Sequence, residues 1–405
     1  MVSNKQSIEY LDISINSNSS EKCLGIIGCL GGIRDVAVTR ILEVGPGGGA
    51  ALDGLADYVE QNETEPIQVD ILENFISKSW ALQQARHRLN SLGVPTTQIA
   101  GDLTRTPFKA NSFDAVNASS VMHEVYSYGG NYEGLNNAIA EISRILKPGG
   151  NFIYREVYPV DANLQTLVRQ SFGLNSWKQF VKLFLPKYMS SAPHPYQPQE
   201  IGLQEIDGKL EGTIPVGLAR DIQRHYITFR DELWRSGLLG FRPTTNTYRE
   251  TEWLDEARTN KKIYYEFTGS PQISKMATFP KDIFAGEDAG GQYAEGELFD
   301  AVTDEVIGYA LEKLRDDERL SSLVASWLHR EGPEVYVYDN VDSFIQRVRT
   351  VSSKENDDDY LLELEPESVK VVARDYYSAY LKRALGEHAL SDAKILMSFT
   401  KCKAT

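Results

Sequence analysis

The chain has 405 residues, of which 41% are hydrophobic and 24% charged, so it has room for about two or three globular domains. Its formal net charge of −15 argues against nonspecific attraction to nucleic acid or to an anionic membrane surface. The cysteines, Cys23, Cys29 and Cys402, form neither a CxxC pair nor a zinc-type spacing, which indicates a reducing, cytoplasmic setting. Glycines interrupt the apolar run at residues 24–32, so we expect neither a signal peptide nor a membrane span.

The first half of the chain alternates short apolar runs with segments of helical pattern. Residues 1–39 are expected to form an N-terminal cap. Strands are then predicted at residues 40–44, 66–70, 97–101, 113–121 and 151–157. Helices are predicted around residues 52–59, 73–92 and 132–146. This alternation predicts an α/β core over residues 40–160, with a mostly parallel sheet that binds its ligand at the carboxyl ends of the strands.

The pattern becomes irregular after residue 160. We expect a mainly helical insertion over residues 161–260 that caps the substrate, and an edge hairpin over residues 261–280 that completes the sheet. Residues 281–405 are predicted to be an acidic C-terminal unit of mixed α and β structure. Helices in these regions are expected at residues 164–184, 221–234, 297–314, 319–330 and 368–385, and further strands at residues 335–338 and 393–399.

A glycine turn lies between the first predicted strand and the helix after it. The stretch from Arg40 to Leu52 reads RILEVGPGGGAAL. A strand, a glycine turn and a helix in this order present backbone N–H groups and a helix N-terminus to a ligand. Glycine allows the sharp turn and lets the ligand approach the main chain. Taken alone, the stretch is also compatible with an ordinary glycine-rich turn, but no Gly-Lys-Ser/Thr follows it, so a P-loop is excluded.

Three further segments lie near the ends of the predicted strands. They read QVD at residues 68–70, GDLTRTPFKANSFDAV at residues 101–116 and ISRILKPGGNF at residues 142–152. Together with ILEVGPGGG, they resemble the class I S-adenosylmethionine-dependent methyltransferases over about residues 40–157. The resemblance implies a Rossmann-like sheet of that type, S-adenosyl-L-methionine as the cofactor, and methyl transfer as the reaction.

The same resemblance implies a set of cofactor-binding residues: Glu43, Gly45, Gly47, Gly49, Asp70, Asp102, Leu103 and Ser119. The glycines would contact the amino-acid end of the cofactor, with Glu43 orienting nearby groups. Asp70, expected to close the second strand, would hold the ribose, and Asp102 would accept a hydrogen bond from the adenine amino group. The alternative for both aspartates is a turn-forming role at the end of a strand.

A candidate base follows the fourth predicted strand. A hydroxyl or a protonated amine must lose a proton to accept a methyl group, so a base nearby favours the transfer. We predict His123 and Glu124 as the catalytic residues, with a carboxylate that orients the ring or raises its basicity. The alternative is a packed histidine at the start of a helix. We expect the substrate to contact an aromatic and basic rim of Tyr126, Tyr128, Arg155 and Tyr158. No carboxylate–asparagine cluster signals a metal, and none is predicted.

These patterns predict a cytoplasmic methyltransferase that acts on an oxygen or nitrogen of a small or medium-sized metabolite, in natural-product biosynthesis, or on a peptide. We expect no nucleic-acid partner and no membrane partner, and a homodimer is left open. The alternative is an NAD(P)-dependent oxidoreductase, because Gly45-x-Gly47-x-x-Ala50 also satisfies the dinucleotide fingerprint. That alternative gives no account of residues 101–116 and 142–152. A third hypothesis is a scaffold that has the cofactor fold but no catalysis.

Overall fold

The structure is a computed structural model. It describes residues 19–31, 37–157, 163–236, 239–242, 262–267, 274–278, 304–305, 307–313, 316–355, 361–373, 376–391 and 393–403. The chain divides into two compact units. Unit 1 comprises Met1–Leu164, Glu334–Asp375 and Asp392–Thr405, and unit 2 comprises Gln165–Pro333 and Tyr376–Ser391.

The strands, in chain order, are β1 Thr39–Val44, β2 Ile67–Glu73, β3 Thr96–Ala100, β4 Phe113–Ser119, β5 Leu146–Val157, β6 Leu167–Phe172, β7 Gln204–Ile206, β8 Lys209–Pro215, β9 Leu239–Arg242, β10 Lys262–Phe267, β11 Ser274–Thr278, β12 Lys354–Glu355, β13 Leu361–Ala373 and β14 Lys394–Lys403. The α-helices are α1 Ser19–Leu30, α2 Ala50–Gln61, α3 Trp80–Ser91, α4 Met122–Tyr128, α5 Tyr132–Ile145, α6 Asn175–Ser191, α7 Val216–Arg235, α8 Glu318–Arg330, α9 Val341–Ser352 and α10 Tyr376–Leu385. A further helical stretch covers residues 307–313.

Unit 1 is built on an eight-stranded sheet in the order β12-β13-β14-β5-β4-β1-β2-β3. Five neighbouring strands of this order, β5, β4, β1, β2 and β3, run parallel to one another. β14 and β13 add an antiparallel edge beyond β5. β1 lies between β2 and β4, so the turn that follows it opens at the centre of the five parallel strands. This confirms the predicted α/β fold with a mostly parallel, Rossmann-like sheet.

The parallel centre of the sheet forms because its strands are apolar on both faces. Ile41 and Leu42 are fully buried on opposite sides of β1, as strands covered by helices on both faces require. On one face Leu52 and Leu55 of α2 and Leu82 of α3 join Ile41 in a continuous hydrophobic core. This packing fixes α2 directly behind the glycine turn.

Several sequence expectations about the elements are wrong. The hairpin over residues 261–280 does form, but β10 and β11 belong to a separate sheet with β9, and the edge of the large sheet is supplied by β13 and β14. Residues 368–373 are strand rather than helix, because their valines favour the extended chain that pairs with β14. Residues 167–172 are likewise the strand β6, paired with β8.

Unit 2 contains the three-stranded sheet β6-β8-β7 and the long helices α6 and α7. Aromatic side chains of both helices fill its core, and Trp177 stacks on Tyr226 with ring centroids 4.0 Å apart. Phe180, Phe184 and Phe229 are buried around them. These rings therefore serve the packing of unit 2 itself. None of the helices in the described ranges has the length and apolar character that a membrane span needs.

Candidate functional site

The glycine turn after β1 is held tightly at both ends and is open in the middle. Gly45, Gly47 and Gly49 have φ angles of 59°, 55° and 85°, a region that side chains other than glycine rarely adopt. A Cβ on Gly45 would lie 2.6 Å from Cγ2 of Val121, whereas a Cβ on Gly47 would meet no atom within 4 Å. The backbone at Gly47 is therefore accessible to a ligand, and α2 begins directly behind it at Ala50.

Glu43 precedes this turn and is buried beneath it. Asn117 of β4 donates a hydrogen bond from Nδ2 to Oε2 of Glu43 at 2.7 Å. Burial raises the pKa of Glu43 to about 8, although Asn117 and Lys22 of α1 lower it in part. Burial also lowers the pKa of Lys22 to about 8, with the charge of Arg155 adding to the effect. Glu43 thus lies in a poorly hydrated position where a neutral carboxyl is favoured near neutral pH.

Asp70 lies inside β2 and does not close it, because the strand continues to Glu73. Asp70 is buried and faces Arg40, whose Nε donates to Oδ2 at 2.8 Å. Glu73 occupies the end of the strand, beside the glycine turn, and accepts backbone hydrogen bonds from Gly47 and Asn74. Burial raises the pKa of Glu73 to about 7, and the charge of Glu124 adds to that rise. Glu73 is not among the residues expected from the sequence, because β2 extends three residues beyond QVD.

The other expected cofactor residues lie near the same edge of the sheet. Asp102 follows β3 and is exposed, and its Oδ1 accepts hydrogen bonds from the backbone N–H and the hydroxyl of Thr104, at 2.7 and 2.8 Å. Leu103 beside it is buried. Ser119 ends β4 and is half-buried. Asp102 therefore combines the turn role of an aspartate with an exposed carboxylate at the end of a strand.

A histidine–glutamate pair is buried one strand away from the glycine turn. His123 lies in α4, after β4, and its Nδ1 is 3.1 Å from Oε2 of Glu156, near the end of β5. The two side chains are 7% and 2% exposed. Burial alone would lower the pKa of His123, but the carboxylates of Glu156, Glu334 and Glu124 outweigh burial and leave that pKa above its ordinary value. Glu156 is thus the hydrogen-bonding partner of the ring, and Glu124 contributes charge from nearby.

The residues expected to form a substrate rim have different environments. Tyr126 is buried and stacks on Tyr338, with ring centroids 5.1 Å apart, and Tyr128 is half-buried. Arg155 is buried, forms an ion pair with Glu21 of α1 and donates from Nη1 to Oγ of Ser120 at 3.0 Å. Tyr158 lies outside the described residues. The structure therefore places Arg155 in a link between α1 and the end of β5.

A nucleotide-type cofactor fits this edge of the sheet. The open space at Gly47 admits a ligand against the main chain, and carboxylates stand at the ends of β2 and after β3. The fold and these residues define an α/β domain that binds a cofactor at the carboxyl ends of parallel strands.

Comparison with known proteins identifies the domain. Residues 42–154 match the family model described as a methyltransferase domain. The reducing polyketide synthase Preu2 of Preussia isomera is 25% identical over 206 residues, which are 48% of this chain and 8% of the polyketide synthase. This chain thus spans a small part of the length of that relative. Residues 42–154 form a class I S-adenosylmethionine-dependent methyltransferase domain, with S-adenosyl-L-methionine as its cofactor.

Solved structures with partial similarity include the [4+2]-cyclase SpnF, which is 26% identical, covers 35% of this chain and 46% of its own and has a TM-score of 0.26. A SAM-dependent methyltransferase from Aquifex aeolicus is 15% identical, covers 39% of this chain and 76% of its own and has a TM-score of 0.29. The match to the methyltransferase domain does not favour the nicotinamide alternative.

Proposed function

We propose that this chain is a methyltransferase in which His123 removes a proton from the acceptor, and that the acceptor is an oxygen or nitrogen of a small or medium-sized metabolite. The observation that carries the proposal is the buried His123–Glu156 pair beside the cofactor edge of the sheet. Glu124 lies between the histidine pair and the glycine turn in electrostatic terms, since its charge raises the pKa of both His123 and Glu73. A base this close to the cofactor-binding turn suits a transfer that requires loss of a proton.

S-adenosylmethionine, when bound, supplies an electrophilic methyl group on a sulfonium. We assign its amino-acid end to the turn of Gly45, Gly47 and Gly49, its ribose to Glu73, and its adenine to the region of Asp102 and Leu103. Glu73 replaces Asp70 in this assignment because the carboxylate of Asp70 is paired with Arg40 inside the strand. Holding donor and acceptor in line contributes about 7–11 kcal/mol to such a reaction.

We assign the proton of the acceptor atom to His123, from the contacts of its ring with Glu156. In the neutral ring, Nδ1–H of His123 donates to Glu156, which leaves the lone pair on Nε2 to accept a proton. The acceptor atom would lose that proton to Nε2 as it takes the methyl group, while the bond between the methyl carbon and the sulfonium sulfur would break and leave the neutral thioether. The imidazolium that results lies between buried carboxylates, which stabilise its charge.

A second candidate acceptor is a carbon atom. The similarity to a reducing polyketide synthase favours it, because a carbon between two carbonyl groups, as in a polyketide chain, is acidic enough for a histidine base. This candidate keeps the role of His123 and changes only the atom that is methylated.

One experiment tests both candidates. The purified chain is incubated with methyl-labelled S-adenosylmethionine and three acceptor classes: phenols, amines and 3-oxoacyl thioesters. Products are detected by mass, and the methylated atom is assigned by NMR. An O-methyl or N-methyl product supports the first candidate, and a C-methyl product supports the second. If S-adenosylmethionine binds but no acceptor class is methylated, the proposed activity is wrong for these substrates.

A further inference from the structure

A buried segment from the C-terminal half of the chain lies against the histidine pair. Residues 334–339 read EVYVYD, and all six side chains are buried. The backbone N–H of Val335 donates to Oγ of Ser127 at 2.8 Å, and that hydroxyl donates to the carbonyl oxygen of His123 at 2.7 Å. These two bonds tie the segment to the helix that carries the histidine.

The side chains of the segment also face His123 itself. The ring of Tyr336 lies 4.9 Å from the imidazole, centroid to centroid. Glu334 is fully buried, and it offers one carboxylate oxygen within 4.8 Å of a ring nitrogen of His123 and of a carboxylate oxygen of Glu124. The proposed base therefore has charged neighbours from three parts of the chain, namely Glu124 on its own helix, Glu156 on β5 and Glu334 on the segment.

Burial makes a carboxylate at this distance effective. A charge interacts with its neighbours much more strongly in a poorly hydrated interior than in water, and salt screens it less. A carboxylate near an imidazole favours the protonated ring, because it stabilises the positive charge. Glu156 acts through its hydrogen bond to Nδ1, whereas Glu334 acts without displacing that bond.

We propose that Glu334 is a positioning residue for proton removal, which together with Glu156 stabilises the imidazolium of His123. Segment 334–339 places this carboxylate beside the ring. The proposal rests on the proposed role of His123 as the base. It assigns a functional residue far outside the matched methyltransferase region, which ends at residue 154.

The test measures His123 directly and needs no substrate. Histidine-labelled protein is titrated by NMR, with the His123 resonance assigned from its loss in His123→Gln. We expect Glu334→Gln to lower the pKa of His123. Asp339→Asn is the matched control, because it removes another buried carboxylate of the same segment, one that pairs with Arg347. The control should leave the pKa of His123 closer to that of the wild type.

An unchanged pKa of His123 in Glu334→Gln overturns the proposal, and so does an equal fall in Asp339→Asn. If Glu334→Gln does not fold, Glu334→Asp is titrated instead; retracting the carboxylate by one methylene should still lower the pKa, and no change there overturns the proposal. A cation is the rival occupant of this cluster. If Zn²⁺ or Mg²⁺ alone raises the melting temperature of the wild type but not that of Glu334→Gln, the cluster is a metal site instead.

These outcomes differ from those of the proposed function. A lowered pKa of His123 in Glu334→Gln with no methylated product from the wild type would keep the electrostatic coupling and reject the proposed activity on the three acceptor classes. Where a product is found, Glu334→Gln should also move the acid limb of the rate–pH profile to lower pH, with KM for S-adenosylmethionine unchanged.

Discussion

Nδ1 of His123 lies 3.1 Å from Oε2 of Glu156, although 33 residues separate them in the chain. The pairing follows from the sheet, because β4 and β5 are parallel neighbours with Ser119 opposite Arg155. Each residue comes just past or just before the end of its strand, so both side chains reach the same edge. The chemistry proposed for this pair leads to the first prediction.

His123→Gln should lower turnover about 10²–10⁴-fold, the range that a positioned acid or base contributes. The affinity for S-adenosylmethionine should stay close to that of the wild type, because His123 lies outside the glycine turn. His87→Gln is a suitable control, since His87 is an exposed histidine of α3. Turnover is measured with the acceptor identified in the product screen, and affinity by calorimetry. Full turnover in His123→Gln would reject the base.

The second prediction separates Glu73 from Asp70. Glu73→Gln should weaken the binding of S-adenosylmethionine by about 1.5–3 kcal/mol, the scale of a hydrogen bond to a charged group, with little change in stability. Asp70→Asn should instead lower the free energy of unfolding by a similar amount, because it breaks the ion pair between the buried carboxylate of Asp70 and the partly exposed Arg40. Calorimetry gives the affinity and denaturant titration the stability. Loss of affinity in Asp70→Asn together with loss of stability in Glu73→Gln would mean that Asp70, and not Glu73, binds the ribose.

The sequence predicted the centre of the sheet because local pattern determines it. Five parallel strands and the glycine turn each have a short apolar run or a glycine cluster of their own. The antiparallel edge was not predictable in this way, because β14 pairs with β5 across more than two hundred residues, and the valines of β13 fit a helical pattern as well. Pairing between strands that are distant in the chain has no pattern in the local sequence that would predict it.

The site was predictable to a similar degree. His123 follows β4 and was found from that position, whereas its partner Glu156 is one of several polar residues near the end of β5. The signal for Glu156 was the alternation in Tyr154-Arg155-Glu156, which faces successive residues to opposite sides of the sheet. Nothing in the sequence indicates that Glu334 joins them, since only the folded chain brings segment 334–339 to α4.

The third prediction compares two glycines of the turn. Gly45→Ala should lower the free energy of unfolding by more than Gly47→Ala. Each substitution costs about 1–2 kcal/mol, because alanine disfavours the left-handed backbone. Only Gly45→Ala also forces a methyl group to within 2.6 Å of Val121. Gly47→Ala should mainly lower the affinity for S-adenosylmethionine, because its methyl group enters the open space. Equal affinity in Gly47→Ala and the wild type would place the cofactor elsewhere.

The last prediction concerns the dependence of stability on pH. The pKa of Glu43 is raised by burial to about 8, whereas an unfolded glutamate has its ordinary value of 4.5. Between these values the folded state holds a proton that the unfolded state has released, so stability falls as pH rises. Glu43→Gln imitates the protonated side chain and does not titrate. The wild type should therefore lose stability relative to Glu43→Gln from pH 5 to pH 8, by up to about 1.4 kcal/mol per pH unit. Denaturant titrations at several pH values measure this difference. Glu63→Gln, at an exposed site, is the control, and its stability relative to the wild type should not change in this way with pH. If the difference in stability between Glu43→Gln and the wild type stays constant with pH, Glu43 is ionised in the folded protein throughout this range.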